Sequence, residues 1–190
     1  MKLKNQLIVL FIVSQTICFG QEFKQDSHTY IKMLKNGTLF VRLKTSDLSI
    51  TALKKQGKEK EAEEIRTKQE AENKAIVEAF KSEFSFCTVY FFYSNNSDAI
   101  KSGNCKDLLF DTNFQNVVSP NCSDFLVGEF DESETTHISA FIIKDKNYNQ
   151  LKSPFPFLTK TNAKIVSTRS KADVIKDLNK RLNEFWAKNQ

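Results

Sequence analysis

The feature that most constrains the fold is a continuous run of aromatic and β-branched residues, Phe86 to Tyr93, followed at once by polar residues. Its length suits a β-strand, and its lack of alternation predicts the central strand of an α/β sheet, buried on both faces. A partly alternating run, Thr38 to Lys44, precedes it and predicts another strand. Between them lies charged, helix-forming sequence from Lys58 to Lys81. A helical crossover of this length predicts that the two strands pair in parallel.

The segments that follow predict antiparallel additions to this sheet. Phe125 to Phe130 and Thr136 to Lys144 flank an acidic loop, which is typical of a hairpin. Tyr148 to Leu158 predicts an edge strand, because its two prolines, Pro154 and Pro156, would be tolerated only there.

The two ends of the domain differ in how strongly they are patterned. Residues 21–33 are polar and mixed, and we expect a loose arm there. Ser170 and Asp173 bound a capping box, and an apolar stripe from Val174 to Trp186 follows it, so we expect a packed amphipathic helix. The prediction is therefore a single three-layer-like α/β domain with a mixed sheet, a parallel βαβ core, a long charged crossover helix and a C-terminal amphipathic helix.

The first 20 residues have the pattern of a secretory signal peptide. Lys2 and Lys4 precede an apolar run from Leu7 to Val13, and the small residues around position 20 predict cleavage before Gln21. That run is too short to span a bilayer. An acylated lipoprotein is the alternative, since Cys18 is present, but the residues before Cys18 lack the small side chain expected there. We expect residues 21–190 to form one exported domain.

Charge and cysteine content bear on partners and compartment. The chain has a formal net charge of +5, and loss of Lys2 and Lys4 leaves it mildly basic, without a basic and aromatic patch that would suggest nucleic acid. No later segment is long and apolar enough to span a membrane. A soluble, periplasmic or secreted protein is the expectation, with an envelope protein as a partner to consider. Cys105 and Cys122 lie in polar, turn-like surroundings and predict a disulfide, whereas Cys87 predicts a buried free thiol.

Polar residues follow both predicted parallel strands and mark the candidate ligand site. In open α/β sheets, ligands bind in the crevice at the carboxyl ends of the strands, near helix N-termini. The weak candidates for such a site are Ser46, Asp47, Ser94, Asn95, Asn96 and Asp98. The same residue types also cap helices, and this is the competing interpretation.

Other arrangements give little support for catalysis or cofactors. An acidic cluster suggests either a cation site or a solvated hairpin tip, the second being favoured; its members are Glu129, Asp131, Glu132, Glu134 and His137. A nucleophile pair of Cys87 and His137 is disfavoured because buried thiols are normally inert. Phosphate-binding glycine loops, a serine-nucleophile elbow, a Cys-x-x-Cys pair and metal-ligand spacing are lacking in the sequence. We expect no metal and no cofactor.

Three segments carry a family resemblance: Asn36 to Leu43, Phe86 to Ser94, and Gln150 to Phe157. Together they resemble a family of uncharacterised exported proteins of Gram-negative bacteria. The resemblance implies one α/β domain and carries no activity.

Three hypotheses of function follow. The first is a non-enzymatic binding or envelope-associated module. The second is a small-ligand binder or enzyme that uses the crevice at the ends of strands 38–44 and 86–94. The third is a thioredoxin-like fold that lacks the redox motif, suggested by the late hairpin near Phe141. Whether the protein is an enzyme is left open by the sequence.

Overall fold

The computed structural model describes residues 26–118, 120, 122–134, 136–164 and 167–190, so the expected signal peptide lies outside the described residues. The helices are α1 (26–36), α2 (Asp47–Lys55), α3 (Glu59–Glu83), α4 (Ser97–Lys101) and α5 (Lys171–Lys188). The strands are β1 (Thr38–Leu43), β2 (Thr88–Tyr93), β3 (Phe125–Glu132), β4 (Ser139–Lys144), β5 (Leu158–Lys160), β6 (Asn162–Lys164) and β7 (Ser167–Thr168).

The main sheet is mixed and has five strands in the order β2-β1-β3-β4-β5. β1 lies at its parallel centre, pairing with β2 on one side and β3 on the other. β4 and β5 are added antiparallel. The predicted parallel pair, its helical crossover and the later hairpin are confirmed. The chain is a single α/β domain.

Helices α1, α3 and α5 cover one face of the sheet, where the larger core lies. Alternate residues of β1 point into this core, and Leu39, Val41 and Leu43 are fully buried. The end of α3 contributes Phe80, whose ring contacts that of Phe141 on β4 at a centroid distance of 5.4 Å. The capping box of α5 is confirmed, because the Ser170 side chain accepts a hydrogen bond from the Asp173 backbone N–H.

The opposite face carries a smaller core under α4 and the irregular segment that leads to β3. Phe40 of β1 and Phe125 of β3 stack there with ring centroids 4.4 Å apart. A disulfide joins Cys105 to Cys122, with Cα atoms 6.4 Å apart, and ties the ends of this covering segment together. Helical and irregular layers thus enclose the parallel strands from both sides.

Three sequence predictions about local structure need correction. The aromatic run forms β2 at the edge of the sheet, with Thr88 and Tyr93 exposed, rather than a central strand buried on both faces, because β1 takes the central position between β2 and β3. Residues 26–33 are helical rather than a loose arm, because Ile31 and Leu34 are fully buried and anchor α1 to the core. Residues 148–157 form irregular chain with one bridge at Gln150, and the edge strand is confined to β5. The backbone carbonyls of Leu158 and Lys160 accept hydrogen bonds from arginine side chains of the α5 region, which satisfies groups that an edge strand otherwise exposes.

Candidate functional site

The crevice between the carboxyl ends of β1 and β2 is bridged by hydrogen bonds between its own walls. The Thr45 backbone N–H donates to Ser94 Oγ at 3.2 Å, and the two hydroxyl oxygens of these residues are 3.3 Å apart. The Thr45 hydroxyl also donates to Asp47 Oδ2 at 2.7 Å. The structure therefore brings the predicted residues Ser94 and Asp47 together around Thr45, in an arrangement that closes the crevice.

The competing interpretation, in which these residues cap helices, is not supported by the hydrogen bonds at the helix N-termini. Ser46 and Asn96 occupy the N-cap positions of α2 and α4, but neither side chain makes a capping hydrogen bond. Ser46 is instead in the left-handed region, with φ 56°, and its hydroxyl donates to Gln69 Oε1 at 2.8 Å. Asn95 and Asp98 are exposed and make no side-chain hydrogen bond within the described part of the chain.

A series of hydrogen bonds through side-chain amides of α3 continues from Ser46 and fixes this helix to the end of β1. Gln69 Nε2 donates to Asn73 Oδ1 at 3.2 Å, and Asn73 Nδ2 donates to the Lys44 carbonyl at 2.8 Å. Asn73 is buried, so its hydrogen bonds compensate for its removal from water. These contacts hold α3 in place at the point where its apolar face is thin.

A buried charge cluster lies on the opposite face of the same sheet end. Glu129 is 3% exposed and accepts from Arg42 Nη1 at 2.6 Å and from Lys144 Nζ at 2.8 Å. Three neighbouring strands, β1, β3 and β4, supply one member each. One carboxylate thus pairs with two cations, each carboxylate oxygen having its own partner, and the triad keeps a net charge of +1. This triad links the strands at the carboxyl end of the sheet.

The triad extends to α4 through Ser97. Arg42 Nε donates to Ser97 Oγ at 2.8 Å, and that hydroxyl donates to the Ser94 carbonyl at 2.6 Å. Tyr148 donates from its hydroxyl to the Ser97 carbonyl at 3.0 Å. Burial raises the pKa of Tyr148, and its hydrogen bond to Ser97 only partly offsets that effect. These groups are hydrogen-bonded to one another, and their contacts stabilise the carboxyl end of the sheet.

A larger opening lies beside these networks, at the carboxyl ends of β1 and β3. This charged cleft has a volume of about 660 Å³. Its walls come from β1, α3, the β3–β4 hairpin and the start of α5, with Lys44, Glu72, Phe130, Asp131, Glu132, Ser139, Ala140, Thr161, Thr168, Arg169, Ser170 and Lys171 lining it. The volume falls within the roughly 300–1,000 Å³ of small-molecule sites.

Charges of both signs line the cleft in pairs that cross between elements. Lys44 contacts Asp131 at 3.1 Å, joining β1 to β3. Lys171 contacts Glu72 at 2.9 Å, joining α5 to α3. Glu132 is exposed and has no ion-pair partner among the described residues. The pairs are solvent-accessible, so each contributes little to stability and their members remain available to other charged groups.

Two further contacts define the electrostatics of the cleft. The Lys171 ammonium lies over the ring of Phe130, 3.9 Å from its centroid, so the floor of the cleft is aromatic. Burial of Asp131 opposes its ionisation, but the hydrogen bond from Lys44, a backbone hydrogen bond and nearby lysine charge outweigh it and lower the pKa of the carboxyl. The Asp131 side chain is therefore an anion at neutral pH.

The acidic cluster of the sequence is divided by the fold. Glu132, Glu134 and His137 are exposed around the β3–β4 turn, as a solvated tip requires, whereas Glu129 is buried in the triad. Within the described residues, no group of three or more His, Cys, Asp or Glu side chains is arranged to hold a metal ion.

The fold also keeps Cys87 and His137, the disfavoured nucleophile pair, apart. Burial raises the pKa of the Cys87 thiol to about 12, so the thiolate is scarce at physiological pH. Two strands, β1 and β3, lie between β2, which Cys87 precedes, and β4, which His137 precedes. The geometry gives no nucleophile pair.

The residues of the charged cleft were missed by sequence reasoning, apart from the acidic hairpin. Its ion pairs join residues 87 and 99 positions apart, and no local pattern predicts such a pairing. One signal was present: a lysine directly after a buried strand and a basic pair, Arg169 and Lys171, around the start of the last helix.

Comparisons with protein-family models, curated proteins and solved structures found no match to this chain. The resemblance to an exported family and the thioredoxin-like alternative therefore stay predictions. Of the described helices, none combines the length and the apolar character needed to cross a membrane.

Proposed function

We propose that the protein is an exported, non-catalytic binding module whose ligand occupies the charged cleft. The observation that carries this proposal is the cleft itself, an opening of about 660 Å³ at the carboxyl ends of two parallel strands. Ligands of α/β proteins concentrate at this end of the sheet. The bridged crevice between β1 and β2 offers less, because hydrogen bonds between its walls close it, whereas the charged cleft stays open although its charges are paired.

The lining favours a ligand that carries both a positive and a negative group. Asp131 and Glu132 offer carboxylates on one wall, and Lys171 offers an ammonium at the start of α5 on another. The N-terminus of an 18-residue helix adds partial positive charge beside Lys171. Phe130, which is half-buried, supplies an aromatic ring to the same cleft. A short peptide with free ends matches this arrangement, its ammonium towards the carboxylates and its carboxylate towards α5.

The proposal is tested by calorimetric titration of the mature protein with trialanine, compared with trialanine that is acetylated at one end and amidated at the other. Trialanine should bind with a Kd of about 1 mM or lower, and the blocked peptide about tenfold more weakly, because it has lost both charges. Lys171→Ala should weaken trialanine binding, and Lys101→Ala on α4, an exposed lysine outside the cleft lining, serves as the matched control. Equal affinity for the free and the blocked peptide would exclude the charged cleft as the binding site.

Export is tested separately, by fractionating cells that express the whole chain and sequencing the N-terminus of the mature protein. The prediction is a periplasmic or extracellular product that begins at Gln21. The disulfide between Cys105 and Cys122 supports this part of the proposal, because disulfides persist in oxidising compartments. A cytoplasmic product that retains residues 1–20 would contradict it, and incorporation of labelled palmitate at Cys18 would favour the lipoprotein alternative.

A further inference from the structure

A row of aromatic rings runs from the core to the surface beside β2. Phe91 is buried and contacts the ring of Phe110 at 5.8 Å between centroids. Phe110 in turn contacts Phe114 at 5.6 Å and Tyr93 at 5.3 Å. Those last two rings are 44% and 39% exposed, respectively, and rest on Phe110, which is 7% exposed. We call Tyr93, Phe110 and Phe114 the aromatic platform.

The loop of residues 111–115 holds the Phe114 ring of the platform at the surface. Phe114 has φ 59°, a left-handed conformation that is unfavourable for an aromatic residue. Asp111 imposes it: its Oδ1 accepts from the backbone N–H groups of Asn113 and Gln115, and its carbonyl accepts from that of Phe114. The Gln115 hydrogen bond, with lesser help from Asn113, lowers the pKa of the Asp111 carboxyl. These hydrogen bonds hold the strained backbone in place and keep the Phe114 ring at the surface.

The polar groups around the platform are neutral amides. Asn113, Gln115 and Asn116 are all exposed in the same loop. The two charges bonded to this loop are of opposite sign, since Lys81 Nζ donates to Asn113 Oδ1 at 3.0 Å and the Asp111 carboxylate accepts from the loop backbone. The surface therefore combines ring faces, which are electron-rich, with uncharged donors and acceptors.

We propose that the aromatic platform binds a neutral glycan. The C–H groups on one face of a pyranose ring carry partial positive charge and pack on aromatic faces, while the ring's hydroxyls hydrogen-bond to amides. Nucleic acid would call for several cations along the surface, whereas a single lysine, Lys81, bonds this loop and the Asp111 carboxylate offsets its charge. A stable protein interface buries about 800 Å² on each partner, more than two half-exposed rings provide. The platform lies outside the charged cleft, so this surface is a second site and not part of the peptide proposal.

The test is calorimetric titration of the mature protein with cellohexaose, maltohexaose and chitohexaose. At least one should bind, and Phe114→Ala should weaken that binding about tenfold, because loss of one stacking ring costs on that order. Phe114→Trp should retain binding, since it restores a ring. Leu48→Ala is the matched control, because Leu48 on α2 is 89% exposed and makes no aromatic contact.

Folding is controlled by circular dichroism of each variant, and Tyr93→Ala provides an independent test if Phe114→Ala is unfolded. Lys171→Ala should leave glycan binding unchanged, which separates this surface from the cleft. The proposal is overturned if none of the three hexasaccharides binds the wild-type protein. It is equally overturned if a folded Phe114→Ala protein binds as tightly as wild type, or if only an apolar peptide is captured at the platform.

Discussion

Glu129 is the residue on which the carboxyl end of the sheet most depends. It is buried between Arg42 and Lys144, and both cations rely on its single negative charge. Removing one partner of a buried ionic group leaves the others uncompensated, whereas an exposed pair contributes little. Glu129 and the exposed pair of Lys44 and Asp131 should therefore behave very differently, although both join β3 to β1.

Glu129→Gln should lower the free energy of unfolding by roughly 3 kcal/mol, because the buried Lys144 and the half-buried Arg42 lose their counter-charge while the shape of the side chain is kept. Urea denaturation followed by circular dichroism measures the change. Asp131→Asn is the matched control and should cost less than about 1 kcal/mol. A similar, small effect of both substitutions would contradict the assigned role of the triad.

How well a residue's surroundings can be predicted depends on how far away in the sequence its contacts lie. Cys87 is predictable as a free thiol in apolar surroundings because its neighbours in sequence are apolar, although the structure leaves it half-buried rather than fully buried. Ser94 and Asp47 were placed at the correct end of the sheet, yet their bonding around Thr45 depends on how β1 and β2 align. Glu129 was grouped with the hairpin tip because its burial is set by two other strands.

Among the elements, α1 shows where pattern reading fails. Its fully buried apolar residues, Ile31 and Leu34, are too few to produce a recognisable stripe in a polar segment. They nevertheless complete the core next to α5, where Tyr30 also contacts Phe155 at 6.4 Å. By contrast, α5 has a capping box and a full stripe, so local sequence was sufficient for it. The apolar run of β2 predicted a strand but not its place, because β2 lies at the sheet edge with Thr88 and Tyr93 exposed.

Leu34→Ala should destabilise the protein by about 3 kcal/mol, because a fully buried leucine side chain leaves a cavity when it is truncated. Thermal and urea unfolding measure the effect. Lys32→Ala, an exposed position on the same helix, should stay within about 0.5 kcal/mol of wild type. Equal stability of the two variants would mean that α1 is only loosely attached.

The disulfide is the device that secures the irregular layer over the second face of the sheet. In the oxidised mature protein, alkylation after unfolding without reductant should modify Cys87 and leave Cys105 and Cys122 unmodified. In the native state Cys87 should also resist alkylation at pH 8, because its pKa is raised to about 12. Peptide mass mapping checks both results. Alkylation of Cys105 or Cys122 without reductant would contradict the assigned pairing.

At the scale of the whole molecule, one end of the sheet concentrates the polar groups. The parallel strands β1, β2 and β3 all deliver their carboxyl ends there, and the triad, the bridged crevice and the charged cleft lie side by side. The fold class was predictable, since it follows from strand and crossover lengths. The cleft was not, because it forms only when α5 closes against α3 and β3 pairs with β1.

The most direct test of the central claim is a two-dimensional ¹H–¹⁵N NMR titration of the mature protein with trialanine. If the ligand occupies the charged cleft, the largest shift changes will fall on residues 130–132 and 169–171. Residues 45–47 and 94–98, around the bridged crevice, will change little. Changes centred on the crevice residues instead, or no change at millimolar peptide, would contradict the assignment of the cleft as the binding site.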